Sequence, residues 1–184
     1  MDSLENQLLI AMPTLNDPYF NKTVTYICEH NDDGAMGLII NLPVNLTLNE
    51  LLEQIDADNK DCLSLEQPVL TGGPVAPQRG FVLHSPQHCW TSSLSLSSDF
   101  MITTSKDILM ALGTEEAPES YVVTLGYAGW GPGQLEQEIL ENSWLTTPAD
   151  ADIIFNTPIE MRWKKATEKL GIDLAHLSND IGHA

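Results

Sequence analysis

Basic residues are scarce in this sequence. Eight Lys and Arg stand against 26 Asp and Glu, and the formal net charge is −18 over 184 residues. Proteins bind nucleic acids mainly through basic side chains that neutralise phosphates, and anionic membrane surfaces attract the same kind of protein. The composition therefore disfavours direct nucleic-acid binding and attachment to a membrane surface.

Cysteine and long apolar segments are also scarce. A disulfide framework needs an even number of cysteines, and this sequence has three, Cys28, Cys62 and Cys89. The small odd number favours a reducing compartment. The early apolar run Leu8–Met12 is too short to span a bilayer. A signal peptide would require a basic region near the N-terminus, but no Lys or Arg precedes Lys22. We expect a cytoplasmic protein, and the length favours one domain over residues 1–184.

The first part of the sequence predicts a hairpin followed by a helix. The apolar segments Val24–His30 and Ala35–Leu42 flank Asp33-Gly34, a dipeptide that is typical of hairpin turns. Thr47 and Glu50 have the spacing of a capping box, in which each residue satisfies a free backbone N–H group of the other. This pattern predicts a helix that ends near Asp56.

The second half of the sequence centres on a glycine-rich segment. A strand over Tyr121–Leu125 is predicted to lead into a loop over Gly126–Gly133, and a helix follows to about Asn142. Further predictions are a half-exposed strand over Trp90–Phe100, short strands over Trp144–Thr146 and Asp152–Phe155, and a helix that Thr157 and Glu160 cap. Strands outnumber helices without regular βαβ alternation, so the predicted class is α+β with a mostly antiparallel sheet.

Two interpretations of the Gly126–Gly133 loop remain open. Free N–H groups at the start of the following helix attract anions, and the glycines would then form an anion-binding cradle. Against this, the spacing differs from G-x-G-x-x-G, and Glu136 and Glu138 near the first helical turn would repel phosphate. The alternative, which the absent motif favours, is that the glycines let the chain turn tightly so that Trp130 packs as a plug.

No catalytic or metal-binding motif is recognisable. His84, His88 and Cys89 are candidate metal ligands, with Cys28 and His30 as a second source, but no C-x-x-C pair anchors them. A Cys–His nucleophile would require an exposed thiolate at Cys89 or Cys28, and Cys28 falls within a predicted buried strand. We therefore assign no catalytic residue, no metal ligand and no cofactor.

Several segments of the sequence, taken in order, resemble one known family. They are Leu9–Pro13, Gly34–Asn41, Gly72–Val75, Arg79–His84, Gly126–Trp130 and Gly133–Glu136, and the ending Gly182-His183-Ala184 looks similar as well. This pattern resembles the YqgE/AlgH family of bacterial proteins over nearly the whole chain. The resemblance implies a single intracellular domain whose bent, partly split sheet forms a pseudo-barrel with flanking helices. It implies no agreed activity and no accepted catalytic residues.

Three hypotheses of function follow. The first is a non-enzymatic binding or regulatory protein that acts through protein contacts or a small ligand. The second is a small enzyme that uses His84 or a carboxylate in a cleft near the glycine-rich segments. The third is a transcriptional regulator, which is the label that the family carries through an alginate-related member. The predicted ligand- or partner-binding residues are Gly72, Gly73, Pro74, Arg79, Gly129, Trp130, Gly131 and Gly133.

Overall fold

The computed structural model describes residues 2–55 and 65–171. Within these residues the strands are β1 (Gln7–Ala11), β2 (Val24–Asn31), β3 (Gly34–Ile39), β4 (Pro43–Thr47), β5 (Pro68–Thr71), β6 (Val75–His84), β7 (Ser93–Ser95), β8 (Met101–Thr103), β9 (Tyr121–Trp130) and β10 (Trp144–Pro148). The α-helices are α1 (Leu48–Gln54), α2 (Lys106–Ala111), α3 (Gln134–Leu140) and α4 (Arg162–Lys169). A π-helical turn covers Asp152–Asn156, and a short 3-10 helix covers Ile159–Met161.

The strands form one curved sheet in the order β10-β1-β2-β3-β9-β6-β8-β7, with β5 beside β9 and β4 beside β5. All pairs are antiparallel except β5 with β9, which is parallel. The long strand β9 connects the two halves, because it pairs with β6 from Tyr121 to Tyr127 and with β3 from Ala128 to Trp130. The sheet is a half-barrel with flanking helices, so the predicted α+β class is confirmed.

Apolar side chains pack in three clusters. The inner cluster contains Tyr26, Phe81 and Phe100, and the π-helical turn and α4 cover it through Ile153 and Ala166. A second cluster packs α1 and α2 against the sheet. The third surrounds α3, Trp130 and Trp144. Apolar burial of this extent is the main stabilising term of the fold.

Two predictions that depend on short-range patterns, the hairpin and the capping box of α1, are confirmed. β2 and β3 form the hairpin, with Asn31 paired with Gly34 at its end. At α1 the Glu50 N–H donates to the Thr47 hydroxyl at 3.1 Å, and the Thr47 N–H donates to the Glu50 carboxylate at 3.3 Å. The predicted end of this helix near Asp56 lies outside the described residues.

Other predictions are wrong where long-range contacts decide the backbone. The predicted loop over Gly126–Gly133 begins too early, because β9 stays in the sheet up to Trp130. The predicted strand over Trp90–Phe100 is too long, because the strand within this segment covers Ser93–Ser95. Leu94 is exposed and Phe100 is buried.

Two predictions near the end of the described chain are also wrong. The apolar run over Asp152–Phe155 forms a π-helical turn whose Ile153 and Ile154 enter the inner cluster, so burial replaces the expected strand pairing. Thr157 caps no helix with its side chain, because its hydroxyl donates to the Asp152 carbonyl at 2.9 Å instead.

Candidate functional site

The glycine-rich segment at Gly72–Val75 packs against the main chain of β9. The Gly72 N–H donates to the Leu125 carbonyl at 2.8 Å, and Val75 pairs with Tyr127. A Cβ atom on Gly73 would lie 2.1 Å from the carbonyl carbon of Tyr127, which no side chain could tolerate. Glycine at this position is therefore a condition for the two backbones to meet.

A bulge in β6 faces Gly126 of β9. Val75 pairs with Tyr127 and Gly80 with Leu125, so residues 76–79 of β6 stand opposite Gly126 alone. Gly126 has φ 77°, and a Cβ there would lie 2.5 Å from the Gly73 carbonyl oxygen. Because bulges bend a strand and redirect its side chains, this one sets the position of Arg79, its last residue.

The Arg79 guanidinium is exposed and lies on an aromatic wall. Its Cζ atom is 5.2 Å from the centre of the Phe81 ring, within the range of a cation–π contact. The Phe81 ring meets the Tyr127 ring edge to face, with centres 6.0 Å apart. Within residues 2–55 and 65–171, no carboxylate forms an ion pair with Arg79. The charge is therefore available to a ligand.

A cleft of about 590 Å³ opens beside Arg79 on the face of the sheet that carries the inner cluster. Six strands that are neighbours in the sheet, β2, β3, β9, β6, β8 and β7, contribute to its walls. The apolar lining is Met36, Phe81, Leu94, Leu96, Ile102 and Tyr127, and the polar lining is Cys28, Glu29, Arg79, Thr91, Ser92, Ser93 and Thr104. A mainly apolar cleft of this size with a few polar groups is typical of ligand sites.

The β2 side of the cleft carries a second bulge. Ile27 pairs with Gly37 and Glu29 with Met36, so Cys28 is the extra residue on β2. Burial, and secondarily the charge of Glu29, raises the pKa of the Cys28 thiol to about 12. Cys28 is thus a neutral thiol at neutral pH, and the thiolate that a cysteine nucleophile requires is not formed.

Trp130 is buried rather than presented at the surface. Its side chain is 7% exposed and meets the Trp144 ring edge-on, with centres 6.3 Å apart. The indole N–H groups of both residues donate to the same carboxylate oxygen of Glu138, at 3.3 and 3.1 Å. This packing favours the interpretation of Trp130 as a plug over that of an exposed binding residue.

The glycines that follow Trp130 do not form an empty anion cradle. The Gly131 N–H donates to the Gln134 side-chain oxygen at 2.9 Å, so this donor is already used within the chain. Gly133 has φ 73° and precedes α3 directly. Of the predicted site residues, Arg79 lines the cleft. Three others come just before β6, namely Gly72, Gly73 and Pro74. The remaining ones lie at the C-terminal end of β9 or after it, namely Gly129, Trp130, Gly131 and Gly133.

His84, the candidate base of the enzyme hypothesis, is fully buried. Its Nδ1–H donates to the Ser85 carbonyl at 2.7 Å, and its Nε2 accepts from the Thr103 hydroxyl at 2.7 Å. Burial lowers the pKa of His84, and the hydrogen bond to Ser85 opposes this only in part. Both ring nitrogens are occupied, so His84 holds strands together and does not face the cleft.

The contact between His30 and Glu136 was missed by the sequence analysis. His30 accepts the Leu4 N–H with Nδ1 at 2.9 Å, and its Nε2 contacts the Glu136 carboxylate. The partners are 106 residues apart, so no local signal relates them. The contact ties the β2–β3 hairpin to α3, and it also employs Glu136 within the chain.

Two general features of the site can be stated for the described residues. Within residues 2–55 and 65–171, no group of three or more His, Cys, Asp and Glu side chains could hold a metal ion. In the same part of the chain, each helix is too short or too polar to cross a membrane.

The fold and the cleft together define an α+β half-barrel protein with an open, mainly apolar cleft and an arginine at its edge. A family model described as AlgH-like matches residues 8–175, and the chain belongs to this family. The resemblance to the YqgE/AlgH family is thereby confirmed.

Relatives and one solved structure agree with this assignment. The chain is 69% identical to a UPF0301 protein of Colwellia psychrerythraea and 58% identical to one of Pseudoalteromonas translucida, each over the full length of both chains. The solution structure of the AlgH protein from Pseudomonas aeruginosa is similar with a TM-score of 0.79 and 45% identity, over 96% of this chain and 93% of that one. A Corynebacterium diphtheriae protein, DIP2367, shares the fold with a TM-score of 0.72 at 18% identity, over 92% and 87% of the two chains.

Proposed function

We propose that this protein is a non-enzymatic, cytoplasmic binding protein whose cleft takes a ligand or partner segment with an acidic group next to an apolar body. The observation that carries the proposal is the exposed guanidinium of Arg79 on the Phe81 ring, at the edge of a mainly apolar cleft. An anion at Arg79 would form charge-assisted hydrogen bonds, while its apolar part would cover the aromatic and aliphatic lining.

Arg79 differs from Lys165, Lys169 and Arg162, whose charged groups are bound by other groups of the chain. Lys165 and Lys169 pair with Asp152 and Asp150. Arg162 is buried, and it donates to the carbonyls of Thr157 and Ile40. Lys22 also lies over an aromatic ring, with its Nζ atom 5.8 Å from the centre of the Trp163 ring, but unlike Arg79 it does not line the cleft. Arg79 is therefore the one of these two cations that an acidic group in the cleft would meet.

Glu29 supplies the orientation of such a ligand. It lines the same cleft from the β2 side, opposite in charge to Arg79 on β6. A ligand anion is attracted toward Arg79 and repelled from Glu29, so its acidic group lies on the β6 side. The apolar lining between these strands then receives the ligand body.

The state of Cys28 and His84 supports the proposal of a non-enzymatic role. The Cys28 thiol is held neutral by its raised pKa, and His84 is sealed between Ser85 and Thr103. A regulatory role through protein contacts or a small ligand is compatible with this binding chemistry. Direct DNA binding remains disfavoured, because the basic residues are too few to neutralise a duplex.

The test is a fluorescence titration with 1-anilinonaphthalene-8-sulfonate, a probe that joins an anionic group to an aromatic body. We expect Arg79→Gln to weaken binding of the probe about tenfold, as the loss of one charge-assisted contact predicts. Lys164→Gln, which removes an exposed charge on α4, is the matched control and should leave the affinity unchanged. Equal affinities of wild type and Arg79→Gln would refute the proposal.

A further inference from the structure

The outer edge of the sheet at β7 borders the same cleft. Among the described residues, β7 is the last strand of the sheet and pairs on one side only, with β8. Its Leu94 side chain lines the cleft and is 62% exposed. The cleft is therefore bounded there by a strand whose other side has no neighbouring strand within the described residues.

The hydrogen-bond pattern shows which main-chain groups of β7 point outward. The Leu96 N–H donates to the Phe100 carbonyl at 3.0 Å, and the Thr104 N–H donates to the Ser92 carbonyl at 3.0 Å. Hydrogen-bonded pairs alternate in an antiparallel ladder, so Leu94 with Ile102 is the bonded pair between them. The N–H and C=O groups of Ser93 and Ser95 consequently face away from β8.

This edge is held in place before any partner arrives. Asp107 accepts the Thr91 N–H at 2.8 Å, and the Ser92 N–H donates to the Ser105 hydroxyl at 3.1 Å. The Ser93 hydroxyl bonds to that of Thr103 at 2.7 Å. An edge that is already extended and fixed costs less conformational entropy when another strand is added to it.

We infer that β7 accepts an extended peptide segment of another protein as an additional strand, and that this segment carries an apolar and an acidic residue four positions apart. This inference rests on the proposed function, because the acidic residue is the group that would meet Arg79. Main-chain bonds to Ser93 and Ser95 would supply affinity, and side chains that enter the cleft would supply specificity, as in other cases of strand addition.

The spacing of the two side chains follows from the register. Val82 pairs with Thr103, so Arg79, three residues earlier on β6, lies toward the Thr104 end of the cleft. Leu94 and Leu96 lie at the other end, since Ser93 pairs with Thr103 and Leu94 with Ile102. Alternate residues of a strand share one face. By this register Arg79 is level with position 90, four residues before Leu94. The apolar residue therefore packs on Leu94, and the acidic residue four positions away is directed to the Arg79 end.

The experiment is a fluorescence-anisotropy titration with a fluorescein-labelled peptide of alternating threonine and valine, in which one valine is replaced by glutamate. Two further peptides carry N-methyl groups on alternate amides, one set in each register. We expect one methylated peptide to bind at least tenfold more weakly than the parent and the other to bind like the parent. The reason is that only one of the two alternating sets of peptide N–H groups donates to β7. Equal binding of both registers, or no binding of the parent peptide, would overturn the inference.

Protein variants give an independent measurement. Ser95→Pro removes one outward N–H group and is expected to weaken peptide binding at least tenfold, whereas Ser95→Ala keeps this group and should bind like wild type. Unchanged peptide binding by folded Ser95→Pro contradicts the inference, and circular dichroism checks the fold. If this variant does not fold, the methylated peptides decide. Sulfonate-probe binding that still depends on Arg79, without peptide binding, refutes strand addition and leaves the proposed function intact.

Discussion

Gly73 lies directly against the main chain of Tyr127, at the point where the two glycine-rich segments meet. A Cβ atom on Gly73 would come within 2.2 Å of the Tyr127 carbonyl oxygen, and the Gly73 φ angle of 156° adds to the constraint. Gly73→Ala is therefore expected to lower the free energy of unfolding by about 3 kcal/mol or more, as severe steric substitutions do. Urea denaturation followed by circular dichroism measures this change.

Gly131→Ala is the matched control for that prediction. The nearest atom to a Cβ on Gly131 is the Gln134 side-chain oxygen at 3.8 Å, an ordinary van der Waals distance. The variant should unfold within about 0.5 kcal/mol of wild type. If Gly73→Ala were as stable as Gly131→Ala, the close contact between the two segments would not exist in solution.

Trp130 is expected to behave as a core residue. Its replacement by Ala removes the ring contact with Trp144 and the hydrogen bond to Glu138. Large-to-small substitutions of buried aromatic residues cost about 3–5 kcal/mol, and Trp130→Phe should cost less because it keeps most of the apolar volume. An unchanged urea midpoint for Trp130→Ala would instead indicate an exposed side chain, as expected of a binding residue.

His84 makes the stability of the fold depend on pH. Its pKa is lowered in the folded state, so below about pH 6.5 the unfolded chain binds a proton that the folded chain does not. This contribution to stability is fully present above that pH and declines as the pH falls toward the folded pKa. We expect the urea concentration at the unfolding midpoint to decrease when the pH is lowered from 7.5 to 5.5.

Two variants assign this pH dependence to His84. His84→Gln should lose much of the change in midpoint over this range, whereas His88→Gln, which alters an exposed histidine, should retain it. The same pH dependence in wild type and His84→Gln would mean that another group is responsible.

Glu29 gives a prediction of opposite sign to that for Arg79. Because Glu29 lines the cleft with a negative charge, Glu29→Gln is expected to strengthen binding of 1-anilinonaphthalene-8-sulfonate about two- to threefold, a modest effect typical of exposed charges. The gain should shrink at high salt, which screens such interactions. Weaker binding by Glu29→Gln would show that the anion does not lie where the two charges predict.

The sequence predicts two features of the fold that depend on neighbouring residues. The Asp33-Gly34 hairpin and the Thr47–Glu50 capping box are of this kind. The setting of Arg79 is different, because it depends on contacts between Gly73 and Tyr127 that only the folded chain creates. The glycines marked the segments that meet, but neither their pairing as strands nor the cleft beside them has a local signal.

Composition also misleads where burial replaces a local preference. Ile153 and Ile154 are β-branched and favour a strand, yet both are buried in the inner cluster from a π-helical turn. Likewise, glycine is a poor strand former, and Gly126 and Gly129 are nevertheless in β9 because neighbouring strands occupy both its sides.

The central claim is that the cleft beside Arg79 binds an acidic group attached to an apolar body. The most direct measurement is a titration of ¹⁵N-labelled protein with 1-anilinonaphthalene-8-sulfonate, followed by heteronuclear NMR of the backbone amides. The account predicts the largest shifts at Arg79, Phe81, Leu94 and Tyr127, and their loss in Arg79→Gln. Shifts centred elsewhere, for example around Cys89 and Trp90, or shifts that persist without Arg79, would contradict it.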